Sequence, residues 1–253
     1  MQLLVSVTNS EEAVAAVNGG ADAVDAKDPS NGALGAVSVT TLQQIHSAVA
    51  ERRTLSAALG EPADEKAAES CAHVLAEVGV SFVKVGFAGV PGPTDVAGIL
   101  AAAVRGARAA SQHRCGVVAV MYADLGPSGA VDFTTLVNVA VQTGASGVLV
   151  DTAHKGGPGL LQFASRAMLR SWVAQAHDAG LTIALAGKLT AGDLPVLRDT
   201  GADIAGVRGA ACHHGRTGRV AEERVRALRR QLRNSSDAVS TSGSVSSSVS
   251  SGR

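Results

Sequence analysis

Eight short aliphatic runs punctuate the chain, and a longer segment with helical periodicity separates each from the next. The runs are LLVSV at 3–7, ADAVDAK at 21–27, TLSAALG at 54–60, SFVKVG at 81–86, CGVVAVMYAD at 115–124, GVLVDTAHK at 147–155, LTIALAGK at 181–188 and ADIAGVRGAA at 202–211. Most are apolar at nearly every position, without polar alternation, which is the pattern of strands covered on both faces. The intervening segments predict helices. The first opens at Thr8-Asn9-Ser10 with Glu11 and Glu12 in its first turn and stops at Gly19-Gly20. Others are expected near 38–51, 64–78, 91–110 (with Thr94 as its N-cap), 132–143, 160–179, 191–200 and 218–233.

A weak internal repeat supports the alternation. Glycine precedes a strand in GGADAV, VGVSFV, TGASGV, AGLTIA and TGADIA. A glycine that closes a helix and feeds a strand marks the αβ loop. Eight strand–helix units predict an α/β fold of the (β/α)8 TIM-barrel class, a single domain over 1–233. An open doubly wound sheet is the runner-up, but no glycine-rich dinucleotide fingerprint follows the first strand. From 234 to 253 the chain turns to Ser/Val/Gly repeats with little to bury, so a disordered tail is expected there.

Composition narrows the classes. Apolar residues make up 46 % and aromatic ones 2 %, so the core must be built from Ala, Val, Leu and Ile. The formal net charge is zero, which argues against nucleic acid or a membrane surface as partner; the Arg-rich last helix is a local exception. Cys71, Cys115 and Cys212 form no CxxC pair, so neither a zinc site nor a disulfide framework is expected. The segment MQLLVSVTNS has no basic n-region, and no apolar run approaches membrane-spanning length. The expectation is a soluble cytoplasmic protein, and a homo-oligomer, as is common among soluble enzymes.

The lysines change the picture most. There are five against seventeen arginines. Arginine cannot replace lysine where a deprotonatable primary amine is needed. Lys27, Lys84, Lys155 and Lys188 fall at or just after the ends of the second, fourth, sixth and seventh strands, whereas Lys66 falls mid-helix. In a barrel those ends share the face that carries the active site. Asp25, Asp124 and Asp151 end strands on the same rim, and Asp25 lies two residues from Lys27, on the same face of the strand. A buried, crowded set of amines depresses lysine pKa values, and a neutral lysine attacks carbonyls to form an imine. A second lysine or an aspartate then moves protons. For any one lysine taken alone, an ion pair at the barrel mouth is the plainer reading.

LAGK at 185–188 and GVRGAA at 206–211 suggest a phosphate cradle at Gly187, Lys188, Gly209 and Ala210, with Arg208 facing either the pocket or a neighbouring carboxylate. Tight turns are the alternative for those glycines. His154 is a weaker candidate for proton transfer. His213-His214 lacks a third ligand, so no metal site is expected, and Cys212 reads as a small buried thiol. Tyr122 and Asp124 are candidate pocket residues, and Trp172 a packing or oligomer contact.

In order, LLVSV, GGADAVDAKDPSNGALGA, VKVG, VLVDTAHK, ALAGK and ADIAGVRGAAC resemble the (5-formylfuran-3-yl)methyl phosphate synthase family, also called 4-(hydroxymethyl)-2-furancarboxaldehyde-phosphate synthase, over about residues 2–230. The resemblance implies a (β/α)8 barrel that condenses two glyceraldehyde 3-phosphate molecules into a furan phosphate with loss of phosphate and water, a lyase serving the synthesis of methanofuran or related furans. It implies Lys27 as the imine-forming lysine, Lys84 as the proton-transfer lysine, and Asp25, Asp151 and Lys155 as further active-site residues. No metal or organic cofactor is implied, since the imine is itself the electron sink. Lys188, where the archaeal members are expected to carry a small residue, and the segment HHGRTG at 213–218 depart from the family pattern.

Overall fold

The computed structural model describes residues 1–50, 52–111, 114–126 and 131–233; the expected disordered tail at 234–253 lies outside the described residues. Strands β1 (Gln2–Val7), β2 (Ala23–Ala26), β3 (Thr54–Gly60), β4 (Phe82–Gly86), β5 (Gly116–Tyr122), β6 (Gly147–Asp151), β7 (Thr182–Leu185) and β8 (Ile204–Val207) pair in parallel and in sequence order. β8 returns to β1, which closes the barrel. Helices α1 (Ser10–Asn18), α2 (Val39–Val49), α3 (Glu65–Glu77), α4 (Pro93–Ser111), α5 (Phe133–Thr143), α6 (Leu160–Phe163), α7 (Arg166–Asp178), α8 (Leu194–Arg198) and α9 (Glu222–Arg233) fill the connections.

Polar residues start the helices by the same device several times. Asn9, Ser38, Asp64 and Asp132 each accept a backbone N–H of the first turn, from Glu12, Thr41, Ala67 and Thr135. Gly144 closes α5 with φ 74°, a left-handed conformation that favours glycine. Leu3, Val5, Val24, Val83, Val117, Val150, Ile183 and Leu185 from the strands and Leu42, Ile45, Leu100, Leu136 and Leu169 from the helices form the main core. A smaller cluster of Ala33, Leu34, Ala58, Val120, Tyr122 and Leu149 packs separately, so the loop after β2 contributes Leu34 to the packing beside the β3, β5 and β6 residues.

The connections depart from expectation in four places. The helix expected at 160–179 is two: Ala164 is extended (φ −125°, ψ 122°), and Ser165 accepts the Met168 N–H to start α7. Residues 191–193 form a 3₁₀ turn before α8, where Pro195 sits in the first turn. Residues 218–221 precede α9, because Val220 forms an antiparallel bridge with Cys212. Thr94 lies inside α4, after Pro93, so it is not the cap.

Candidate active site

Inward-facing polar residues on adjacent strands build the floor. Ser6, Asp25 and Ser56 are register partners on β1, β2 and β3. Asp25, fully buried, accepts the Ser6 hydroxyl at 3.0 Å and the Ser56 hydroxyl at 2.8 Å. Its third partner is the Lys84 ammonium at 2.5 Å. Lys84 sits mid-strand in β4, not at its end, so its amine lies a layer deeper than its sequence position suggested. Burial pushes its pKa down and the charge of Lys27 adds to that, with Asp25 opposing.

Asp151, the last residue of β6, organises the layer above. It accepts the Thr152 N–H at 2.8 Å and the Lys155 ammonium at 2.6 Å, while Lys27 stands off at 3.9 Å. Burial raises the Asp151 pKa, but Lys27 and Lys155 outweigh it and hold the carboxyl below its usual range. Lys155 is pushed below the ordinary lysine value, mainly by burial. Lys84 and Lys155 are thus tightly paired, whereas among the described residues the ammonium of Lys27, a buried lysine just after β2, has only the long contact with Asp151.

These residues line a cavity of about 520 Å³ that also takes in Gly187, Lys188, Gly209, Ala210, Arg216 and Arg224. Four of the five lysines reach it, and the fifth, Lys66, is exposed on α3. Lys188 is exposed, with a left-handed backbone (φ 54°) and its ammonium on the Gly157 carbonyl. Arg208 faces the carboxylate. It donates to Glu12 at 2.9 and 3.3 Å and to the carbonyls of Ser6, Arg216 and Gly218 at 2.9, 2.8 and 3.2 Å. All five of its N–H groups are spent, so the residue holds β1, β8 and the 213–220 loop together. Burial raises the Glu12 pKa, but Arg208 reverses this and holds the carboxylate low.

Other candidates fall outside the cavity. Asp124 accepts the N–H groups of Ala153 and His154 at 2.7 Å each and meets the exposed His154 ring at 3.1 Å, which shapes the loop leading to Lys155. Tyr122 donates to Glu61 and does not line the cavity. Cys212 is buried, and Trp172 stacks on Phe133 at 5.4 Å between α7 and α5. His213 pairs with Glu223 at 2.8 Å. Among the described residues no group of three or more His, Cys, Asp or Glu side chains is placed to hold a metal ion, and no helix is long and apolar enough to cross a membrane. Sequence reasoning missed Ser6, Ser56 and Arg216. The serines were legible only as polar interruptions in apolar runs, and Arg216 carried no local signal.

The model of the 4-HFC-P synthase family matches residues 3–229. The chain belongs to that family. Among its relatives, the (5-formylfuran-3-yl)methyl phosphate synthase of Methanopyrus kandleri is 39 % identical over 215 residues, 85 % of this chain and 90 % of the relative. That of Methanothermobacter thermautotrophicus is 37 % identical over 235 residues, 92 % of this chain and 99 % of the relative. Membership in this synthase family makes the chain an enzyme of furan biosynthesis. Solved barrels resemble it in fold alone. A 3-hexulose-6-phosphate synthase has TM-score 0.61 at 20 % identity, covering 90 % of this chain and 99 % of its own. The KGPDC of Streptococcus mutans has TM-score 0.65 at 14 % identity, covering 92 % and 97 %.

Proposed function

We propose that this 4-HFC-P synthase condenses two molecules of glyceraldehyde 3-phosphate through an imine on Lys27. The product is (5-formylfuran-3-yl)methyl phosphate, and one phosphate and two waters leave. The observation that carries the reading is the unequal pairing of three amines around two carboxylates. Lys84 and Lys155 lie 2.5 and 2.6 Å from their aspartates, whereas Lys27 is 3.9 Å from its own. An amine must give up its proton and its partner to attack a carbonyl, and Lys27 has least to give up.

In this reading Lys27 adds to the aldehyde of the first triose phosphate and water leaves as the imine forms. Removal of the proton at C2 gives an enamine, and Lys84, with its depressed pKa, is the acid–base partner. The enamine expels the C3 phosphate, and the C3 thus freed attacks the C2 carbonyl of the second triose phosphate, taken up as its ketone isomer. The C1 hydroxyl of the second triose closes onto C2 of the first, and two waters leave to give the furan. One water returns to hydrolyse the imine, which releases Lys27 and leaves the imine carbon as the formyl group. Asp25 and Asp151 orient the lysines and balance their charge. The imine withdraws electrons at the reacting carbon, so the scheme calls on no metal or organic cofactor.

The cavity charge supports two phosphorylated substrates. Among the described residues seven cationic side chains line it (Lys27, Lys84, Lys155, Lys188, Arg208, Arg216 and Arg224) against Asp25 and Asp151. With Arg208 cancelled by Glu12, an excess of up to four positive charges remains. A phosphate monoester carries about −1.5 to −2 at neutral pH, so two of them match that excess. Gly187, Lys188, Gly209 and Ala210 are the residues we assign to one of the phosphates, and Arg208 serves them as scaffold.

Incubation with glyceraldehyde 3-phosphate tests the reading. The expected outcome is an ultraviolet-absorbing furan aldehyde with one inorganic phosphate released per furan. An open-chain sugar phosphate without phosphate release would instead mark a class I aldolase. Binding without either product would mark a barrel that only holds sugar phosphates.

A further inference from the structure

The catalytic scheme gives no role to Arg216. It lies on the loop between β8 and α9, and its backbone packs over Gly209, where a Cβ would meet the Arg216 nitrogen at 3.5 Å. The side chain reaches across to the loop after β2: Nη1 donates to the Pro29 carbonyl at 2.8 Å and Nη2 to the Gly32 carbonyl at 2.7 Å. Those carbonyls belong to the segment that leaves the barrel directly after Lys27. Two of its five N–H groups are thereby spent. Among the described residues the other three carry no hydrogen bond, no carboxylate pairs with the guanidinium, and the side chain lines the cavity.

The contrast with Arg208 is informative, because the two arginines stand eight residues apart at one cavity. Arg208 is saturated, with its charge cancelled by Glu12, and it has nothing left to offer a ligand. Arg216 is held in place by neutral carbonyls, which fix its position without neutralising it. A fixed guanidinium with open donors at a cavity wall is preorganised for a phosphate, whose oxygens match its fork. Its charge also reaches the lysine layer, since it helps to lower the Lys155 pKa behind the larger effect of burial.

We propose that Arg216 is a substrate-binding residue whose open N–H groups grip the phosphoryl oxygens of the triose phosphate on the Lys27 side of the cavity, apart from the phosphate assigned to Gly187, Lys188, Gly209 and Ala210. The inference rests on the two-triose-phosphate reading above.

Calorimetric titration of the full chain with inorganic phosphate tests it without any turnover, using wild type, R216Q and R216K. Wild type should bind two phosphates. R216Q should lose one, or hold it about ten- to a hundredfold more weakly, the range for charge-assisted hydrogen bonds. R216K, which keeps the charge but not the fork, should lie between. Hydrogen exchange at residues 28–35 separates binding from loop support. If both variants expose those amides equally and R216K restores no phosphate affinity, Arg216 only ties the loops and the proposal is wrong. It is also overturned if R216Q binds phosphate as wild type does, including the case in which wild type binds none. Failure of the synthase reading shows elsewhere, as intact phosphate binding with no furan formed.

Discussion

Replacing Asp25 by Asn removes the carboxylate and keeps the shape. In the native protein that carboxylate is fully buried and meets Lys84 at 2.5 Å, with two serine hydroxyls on its remaining lone pairs. At an effective dielectric of about 20 the pair attraction is roughly 7 kcal/mol before desolvation. The net loss on removing one partner of a buried pair is smaller, about 3–5 kcal/mol, because the stranded charge can shed its proton. For a barrel of this size that corresponds to a fall in Tm of about 6–20 °C. The pH dependence follows from the sign of the Lys84 shift. Its folded pKa lies below the ordinary 10.5, with burial the leading cause, so the unfolded chain binds that proton more readily. The folded state is penalised at neutral pH, and the penalty fades as pH rises toward 10.5. Asp25→Asn deepens the penalty by removing the group that opposes it. Thermal melts should therefore show a large deficit at pH 7, a smaller one at pH 9.5, and recovery of most of the loss in Asp25→Asn/Lys84→Met. A deficit under about 1 kcal/mol at pH 7, or a double variant no more stable than the single one, would refute the reasoning.

Further predictions concern the pH profile, the scaffold and the helix packing. Lys84 and Lys155 both titrate below the ordinary lysine value, chiefly through burial, so kcat/KM on triose phosphate should rise with pH through a limb centred below 10.5. Asp151→Asn should move it lower still, since Asp151 opposes the Lys155 shift; a limb at 10.5 or above in either protein contradicts this. Glu12→Gln leaves the buried Arg208 charge uncompensated and should lower Tm by about 6–20 °C, with faster amide exchange at 213–220; unchanged exchange there would remove Arg208 as the scaffold of that loop. At Gly106 in α4 a Cβ would sit 2.1 Å from the Glu69 carbonyl oxygen of α3, so Gly106→Ala should cost about 1–3 kcal/mol in a denaturant melt, while Gly92→Ala, with nothing within 4 Å, should be neutral. Lys188 has φ 54°, so Lys188→Gly should stabilise by roughly 1 kcal/mol in the same melt while weakening phosphate binding.

The barrel was legible because its signals are local. Aliphatic runs such as LLVSV and GVLVD, separated by capped helices, give eight units without knowledge of any tertiary contact. That the lysines reach one cavity followed from the rule that strand ends share a face, and Lys27 and Lys155 sit as that rule places them. Lys84 departs from it, because β4 continues two residues past it to Gly86 and sets the amine deeper. Where outcome depended on which of two partners a group finds, the sequence was silent. On paper Arg208 is the candidate anion ligand and Arg216 carries no signal. Contacts 196 residues away to Glu12 and 187 residues away to Pro29 decide that one is saturated and the other open. The break at Ala164 was missed for a related reason: helical periodicity runs across it, while the Ser165 cap competes locally and wins.

In the proposed reaction Lys27 is the amine that bonds to substrate. Wild-type protein treated with glyceraldehyde 3-phosphate and borohydride, digested and read by mass spectrometry, should carry one reduced triose phosphate adduct on Lys27. Lys27→Arg should carry none, although Lys84 and Lys155 remain in the same cavity. An adduct on Lys84 or Lys155 in the wild type, or one that persists in Lys27→Arg at wild-type yield, would contradict the account.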